Sequence, residues 1–97
     1  MMPIHPGRLL KRELTARALS ANRLAIALRV PSGRITDILN GKRGITPETA
    51  LRLARFFGTS AEFWVNLQAH YNLALAEKEL GPAITAEVQR AGPWGQA

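Results

Sequence analysis

The segment ALRVPSGRITDILNGKRG, residues 27–44, holds the end of one apolar-periodic stretch, a turn and a second such stretch. The turn lies at residues 30–33, and helical periodicity resumes with Ile35 and Ile38. About eight helical residues precede the turn and a similar number follow it. Residues 20–40 therefore have the spacing of a helix–turn–helix. Two packed helices followed by a basic loop are the alternative interpretation.

Helix signals recur along the rest of the chain, whereas no stretch alternates polar and apolar residues as a strand does. Proline in a first turn and hydroxyl-bearing caps favour helix starts, and they predict starts at Pro6, Ser20, Thr46 and Ser60. The fifth helix is predicted to run to about Leu80, where Gly81-Pro82 break it. We expect an all-α fold with one helix–turn–helix domain over 1–80, an interaction helix over 60–80 and a loose tail over 81–97.

Composition narrows the function classes. The chain has 97 residues, which suits one domain, and it has no cysteine, which excludes disulfides and zinc–thiolate sites. His5 and His70 are far apart, so we expect no metal site and no cofactor. No apolar run is long enough to span a bilayer, and the N-terminus lacks the apolar region of a signal peptide. We therefore expect a soluble cytoplasmic protein with no membrane partner.

The charges divide unevenly along the chain. The net charge is +6, made of +8 in residues 1–60 and −2 in residues 61–97. Such an asymmetry predicts a basic surface for a polyanion and a second region with another role. An arginine-rich surface without a polyanionic partner is the alternative.

A helix–turn–helix places its second helix in the major groove, with the N-terminal residues toward the base edges. Arg34 could bind guanine O6 and N7, and Asp37 could accept from cytosine N4. Lys42 and Arg43 follow the second helix directly, and the first helix offers its N-terminal amides to a phosphate. The predicted DNA-contacting residues are Ser20, Asn22, Arg23, Ser32, Gly33, Arg34, Thr36, Asp37, Lys42 and Arg43.

The fifth predicted helix carries an apolar stripe that continues past the part a small domain can cover. The predicted interface residues are Phe63, Trp64, Leu67, Tyr71 and Leu75, with Trp94 in the tail as a further candidate. The pair Phe63-Trp64 can also pack on the domain's own core. A stripe that outlasts its core indicates a partner surface, and a helix folded back on the domain is the alternative.

The turn of the motif has an unusual composition. Pro31 fixes φ and has no N–H to leave unpaired at the start of the second helix, and Val30 is expected to fill the core beneath it. Arg29 admits two interpretations. It either adopts a positive φ, at a cost of roughly 1 kcal/mol, or it has an ordinary conformation and reaches for a phosphate.

Three segments resemble HigA-type antitoxins, within the larger group of Cro- and lambda-repressor-like helix–turn–helix proteins. They are HPGRLLKREL, SANRLAIALRVPSGRITDILNGKRGITPETALRLARFFGTS and AEFWVNLQAHYNL, which together cover most of residues 5–73. The resemblance implies a five-helix DNA-binding domain with a long fifth helix. It further implies a homodimer on double-stranded operator DNA that represses its own operon. The implied partner is a HigB-like toxin, a RelE-like ribonuclease that cleaves mRNA, which this chain would bind and neutralise.

The resemblance also matches individual residues. The positions of this group that contact DNA correspond to Ser32, Gly33, Thr36, Asp37, Lys42 and Arg43. Two positions depart from the group's pattern. Ala21 stands where relatives often have a polar side chain for a phosphate, so only its backbone could serve there. Arg29 stands where many relatives have glycine in the turn.

Other functions share part of these features. A stand-alone repressor without a toxin would have the same DNA-binding residues and differ only in the fifth helix and the tail. A pure protein inhibitor would use the helix–turn–helix as a scaffold alone. An enzyme is disfavoured, because the sequence has no nucleophile–base pairing, glycine-rich phosphate loop or metal-ligand spacing. The opening His5-Pro6-Gly7 is better explained as a helix-entry turn than as a site.

Overall fold

The computed structural model describes residues 3–92, and within them it has five α-helices and no strand. The predicted all-α class with five helices is therefore confirmed, whereas Trp94 lies outside the described residues. The helices are α1 (Pro6–Ala16), α2 (Ala21–Leu28), α3 (Ser32–Leu39), α4 (Pro47–Phe57) and α5 (Ala61–Glu87).

Side-chain caps fix most of the helix starts. Each cap oxygen accepts a backbone N–H three residues later, which pairs one of the amides that a helix leaves unsatisfied. These bonds join Ser20 Oγ to the Arg23 amide at 3.1 Å, Thr46 Oγ1 to the Thr49 amide at 3.3 Å, and Ser60 Oγ to the Phe63 amide at 3.1 Å. The start of α1 uses a cap that was not predicted: His5 Nδ1 accepts the Gly7 amide at 2.9 Å.

The core is apolar and draws on all five helices. Its buried members are Leu10, Leu14, Leu24, Ala25, Leu28, Ile35, Ile38, Ile45, Ala50, Leu53 and Trp64. The prediction that Trp64 belongs to a partner interface is wrong for this fold, because its side chain is only 1% exposed. Its ring packs beside Phe57, and its Nε1–H donates to Thr59 Oγ1 at 2.9 Å, so the polar end is satisfied inside the protein.

The fifth helix is longer than the sequence predicts. It continues through Gly81 and Pro82 to Glu87, so the predicted end near Leu80 is wrong. A proline in a helix removes one backbone hydrogen bond and crowds the residue before it. Here the preceding residue is Gly81, which has no Cβ to clash with the proline ring. The flanking residues are mostly good helix formers, so the helix persists across the proline.

The turn of the motif resolves the question about Arg29. Arg29 ends α2 with φ 62° and ψ 43°, the left-handed conformation that favours glycine. Its amide and that of Val30 then donate to the last carbonyls of α2, at 3.2 Å to Ile26 and 3.0 Å to Ala25. Val30 packs half-buried against the core. The first of the two interpretations, a mildly strained turn residue, is correct.

Candidate nucleic-acid interface

The helix–turn–helix presents one face of α3 to solvent. Ile35 and Ile38 are fully buried, which fixes the rotation of α3 about its axis. The opposite face, at the N-terminal end of the helix, carries Ser32, Gly33 and Thr36, and all three residues are exposed. The helix is thus held by its apolar side, while the residues predicted to face base edges remain accessible.

Glycine at position 33 has no explanation within the protein. A Cβ added to Gly33 would meet no other atom within 4 Å, so the surrounding structure leaves room for a side chain. The backbone of α3 is therefore open at this point to close approach from outside. Thr36 lies one turn later, and its hydroxyl donates to the Ser32 carbonyl at 3.1 Å.

Arg34 points toward α4 instead of the exposed face of α3. Its guanidinium pairs with Glu48 at 3.3 Å, and its side chain is only 24% exposed. Glu48 also pairs with Arg52 at 3.1 Å, and Arg52 donates to the Leu28 carbonyl at 2.8 Å. These bonds connect the start of α3, the start of α4 and the end of α2. Arg34 would have to leave this network in order to bind a base.

Asp37 organises the segment that follows α3. Its backbone carbonyl accepts the amides of Lys42 and Arg43 at 2.8 and 3.2 Å, and Gly41 makes the turn at φ 74°. The Asp37 carboxylate lies 3.7 Å from the Arg43 guanidinium, so the two charges partly offset each other. The structure therefore places Asp37, Lys42 and Arg43 together, with both basic residues exposed just after the end of α3.

The third predicted contact region is the N-terminus of α2. Asn22 and Arg23 are exposed there. Ser20 is also exposed, but its oxygen already accepts the Arg23 amide, which leaves the hydroxyl hydrogen as its donor to a phosphate. Because the first amides of a helix have no intrahelical partner, this end carries a partial positive charge toward solvent.

The exposed apolar face of α5 differs from the predicted stripe. Phe63 is exposed, whereas Leu67, Tyr71 and Leu75 are half-buried against the rest of the domain. Further along the chain, four apolar side chains are between 50% and 66% exposed. They are Leu73, Leu80 and Ile84 of α5, and Val88, which follows the last helical residue in an extended conformation. At 100° per residue the spacing of seven and four places the three helical residues on one side of α5.

The whole fold matches proteins of known family. A family model described as a helix-turn-helix domain matches residues 7–63. The chain is 52% identical to an addiction module antidote protein of the HigA family from Coxiella burnetii. The match covers 94% of this chain and 100% of that protein, with a TM-score of 0.91. This chain belongs to the HigA family.

Two further relatives are an antitoxin and a virulence-associated protein. The antitoxin HigA of Pseudomonas aeruginosa, whose structure was solved with the higBA promoter, is 43% identical to this HigA-family chain over 93% of it and 99% of the other, with a TM-score of 0.90. Virulence-associated protein I of Dichelobacter nodosus is 49% identical over 80 residues, which is 81% of this chain and 74% of that protein.

The α5 stripe of this HigA-family chain was missed because the helix was predicted to stop too early. With an end near Leu80, Ile84 falls in a loose tail and cannot extend a helical pattern. The spacing was present in the sequence once the helix is continued through Pro82.

Over residues 3–92, no group of three or more histidine or acidic side chains is arranged for a metal ion, and no helix is long and apolar enough to cross a bilayer.

Proposed function

We propose that this HigA-family chain is an antitoxin that acts in the cytoplasm as a homodimer and performs no catalysis. In this proposal it represses its own operon by binding operator DNA through the helix–turn–helix. It also binds and neutralises a HigB-like toxin that cleaves mRNA. The observation that carries the proposal is the exposed N-terminal face of α3, flanked by the basic pair Lys42-Arg43, in a chain similar to a HigA bound to its promoter.

The affinity for DNA is assigned to the phosphate contacts. Lys42 and Arg43 after α3, and Arg23 with the N-terminal amides of α2, supply exposed positive charge, while Ser20 and Asn22 supply neutral donors. Contacts of this kind release counterions, so binding weakens steeply as salt rises.

A gel shift on the promoter fragment upstream of the operon tests the DNA-binding part. Wild-type protein should bind, and its affinity should fall steeply between about 50 and 200 mM salt. Lys42→Ala with Arg43→Ala should reduce the slope of log affinity against log salt by about 1.8, since each lost phosphate contact removes about 0.9. Lys78→Ala with Arg90→Ala, a matched loss of two exposed positive charges in the C-terminal part of the chain, should leave the slope unchanged. A slope that no substitution in the motif alters would refute the assignment.

Base selection is assigned to the exposed residues at the start of α3, namely Ser32, Gly33 and Thr36, and to Asp37. Arg34 is assigned a contact only after its pair with Glu48 opens. In a binding selection from randomised duplexes, Thr36→Ala should change the preference at one position, by about 1–3 kcal/mol if the contact is direct. An unaltered selected sequence would exclude a direct contact by Thr36.

The homodimer is assigned to the apolar stripe of α5. A two-fold dimer places two recognition helices about 34 Å apart, one turn of DNA, which matches a palindromic site. The stripe of Leu73, Leu80 and Ile84, with Val88 directly after the helix, supports this assignment, because it lies on a helix that extends beyond the core and is exposed in the single chain. Phe63 and the half-buried Leu67, Tyr71 and Leu75 are assigned to the edge of the same contact.

Sedimentation of single-site variants tests the interface. Leu80→Glu should convert the dimer to a monomer, because a carboxylate would be buried without a partner. Ile26→Glu is the matched control: Ile26 is an exposed apolar residue of α2, 65% accessible, and its substitution should leave the dimer intact. Dimers of equal stability in wild type and Leu80→Glu would place the interface elsewhere.

Co-expression with the product of the neighbouring open reading frame tests the antitoxin part. The expected result is a complex that co-purifies and a rescue of growth that the toxin alone arrests. If the neighbour encodes no toxin while the promoter gel shift succeeds, the chain is a stand-alone repressor. That second function has support from relatives named HTH-type transcriptional regulators in Escherichia coli. Complex formation without any DNA binding would instead identify a pure protein inhibitor.

A further inference from the structure

The loop between α3 and α4, which carries Lys42 and Arg43, is tied to α5 by the side chain of Gln68. Gln68 Oε1 accepts the backbone amide of Ile45 at 2.8 Å. Gln68 Nε2 donates to Asn72 Oδ1 one turn further along α5 at 3.0 Å, which sets the orientation of the amide group. The bond spans 23 residues and therefore joins two elements that no local interaction would hold together.

The local sequence is fitted to this bond. A Cβ on Gly44 would lie 3.0 Å from the side-chain atoms of Gln68, so glycine permits the close approach. Ile45 is only 4% exposed and anchors the loop in the core. An Ile45 amide without an acceptor would be a partly buried, unpaired donor, which is costly.

A second side chain holds the other side of the same loop. His5 Nδ1 accepts the Gly7 amide, so the neutral ring carries its hydrogen on Nε2. The ring lies edge-on to Tyr71 of α5 with centroids 4.9 Å apart. Gly41 passes beside the ring, because a Cβ added to Gly41 would lie 4.0 Å from His5 Cγ.

His5 and Gln68 have no predicted role in binding DNA, and neither carries a charge that would attract a phosphate at neutral pH. Gln68, a residue of α5, accepts the loop amide of Ile45, and His5 lies between the loop at Gly41 and Tyr71 of α5. We propose that His5 and Gln68 are positioning residues that hold the backbone of the Lys42–Arg43 loop against α5 in the geometry that reaches the phosphates. The inference rests on the proposed DNA binding.

The test uses Gln68→Met, which keeps the length of the side chain and removes the acceptor, and His5→Asn, which retains a capping oxygen for α1. The probe is a labelled duplex of random sequence, because phosphate contacts are independent of sequence. Each variant should bind about fivefold more weakly, equivalent to ~1 kcal/mol, with a smaller salt slope than wild type. Gln89→Met, the same substitution in the exposed C-terminal segment, should bind like wild type.

Two further measurements separate positioning from a general loss of structure. In the absence of DNA, Gln68→Met should speed hydrogen exchange at the Ile45 amide and leave the amides of the α2–α3 core protected. Gln68→Glu, which keeps an acceptor, should retain the protection. In a Lys42→Ala, Arg43→Ala background, Gln68→Met should weaken DNA binding less than it does in wild type, because the contacts that it positions are already gone.

The outcomes distinguish the two proposals. If wild type binds the duplex, and Gln68→Met and His5→Asn bind it equally well with the same slope, the positioning role is overturned. If wild type does not bind any duplex at low salt, the proposed DNA binding fails. Hydrogen exchange at Ile45 then still decides whether Gln68 holds the loop, and unchanged exchange in Gln68→Met would overturn that as well.

Discussion

Replacing Arg29 with glycine is expected to stabilise the fold, because Arg29 ends α2 in the left-handed region at φ 62° and ψ 43°. An L-residue pays roughly 1–2 kcal/mol for this conformation, whereas glycine adopts it freely. Glycine also raises the conformational entropy of the unfolded chain, which lowers the free energy of unfolding by roughly 0.5–1 kcal/mol. The net gain in the free energy of unfolding is therefore about 0–1.5 kcal/mol, and its midpoint of about 0.75 kcal/mol corresponds to a rise in Tm of about 3–6 °C.

The matched control is Arg29→Ala, which removes the guanidinium and keeps the Cβ that causes the strain. Arg29 is exposed, and within residues 3–92 no ion pair involves it. The alanine variant should therefore stay within about 0.5 kcal/mol of wild type. Urea unfolding followed by circular dichroism, at one fixed protein concentration, measures all three proteins. Glycine and alanine variants of equal stability would refute the argument from backbone strain.

Three more substitutions test the packing of α1, the proline in α5 and the titration of His5. Gly7→Ala should destabilise the fold by about 3 kcal/mol, since its Cβ would fall on the Ile38 carbonyl; a urea midpoint equal to that of wild type would contradict this contact. Pro82→Ala should restore a backbone bond to the Lys78 carbonyl and slow amide exchange in the last turns of α5, by up to ~3 kcal/mol locally; faster exchange would contradict it. Burial lowers the pKa of His5 below its ordinary value of 6.5, although the backbone of Arg43 opposes the shift. The unfolded chain then takes up a proton before the folded one as pH falls below about 6.5, so wild type should lose stability in that range. His5→Asn should lack this component in urea unfolding at about pH 7.5 and pH 5.5, and identical pH profiles for the two proteins would contradict it.

The fold was predictable from sequence where local chemistry decides it. Ser20, Thr46 and Ser60 begin their helices as caps because the bond that they make closes over three residues. The apolar spacing of α3 likewise places Ile35 and Ile38 in the core without knowledge of the other helices. Such signals are complete within one turn of the chain, so they survive in the folded structure.

Features that depend on distant residues were not predictable in the same way. Trp64 could face either a partner or the core, and only the crossing of α5 over α4 decides that it is buried. The pair between Arg34 and Glu48 spans 14 residues and turns the Arg34 side chain, predicted to contact a base, toward α4.

The end of α5 was missed for a local reason. Proline usually stops a helix, and the glycine before Pro82 relaxes that rule because it has no Cβ to clash with the proline ring.

The bond between Gln68 and the Ile45 amide has a consequence for how two ligands affect each other. It joins the helix assigned to partner binding to the loop assigned to phosphate binding, so a partner that alters this bond alters the affinity for DNA. Thermodynamic linkage makes the effect reciprocal: DNA must change the affinity for that partner by the same factor. A complex titrated in either order would therefore yield one coupling constant.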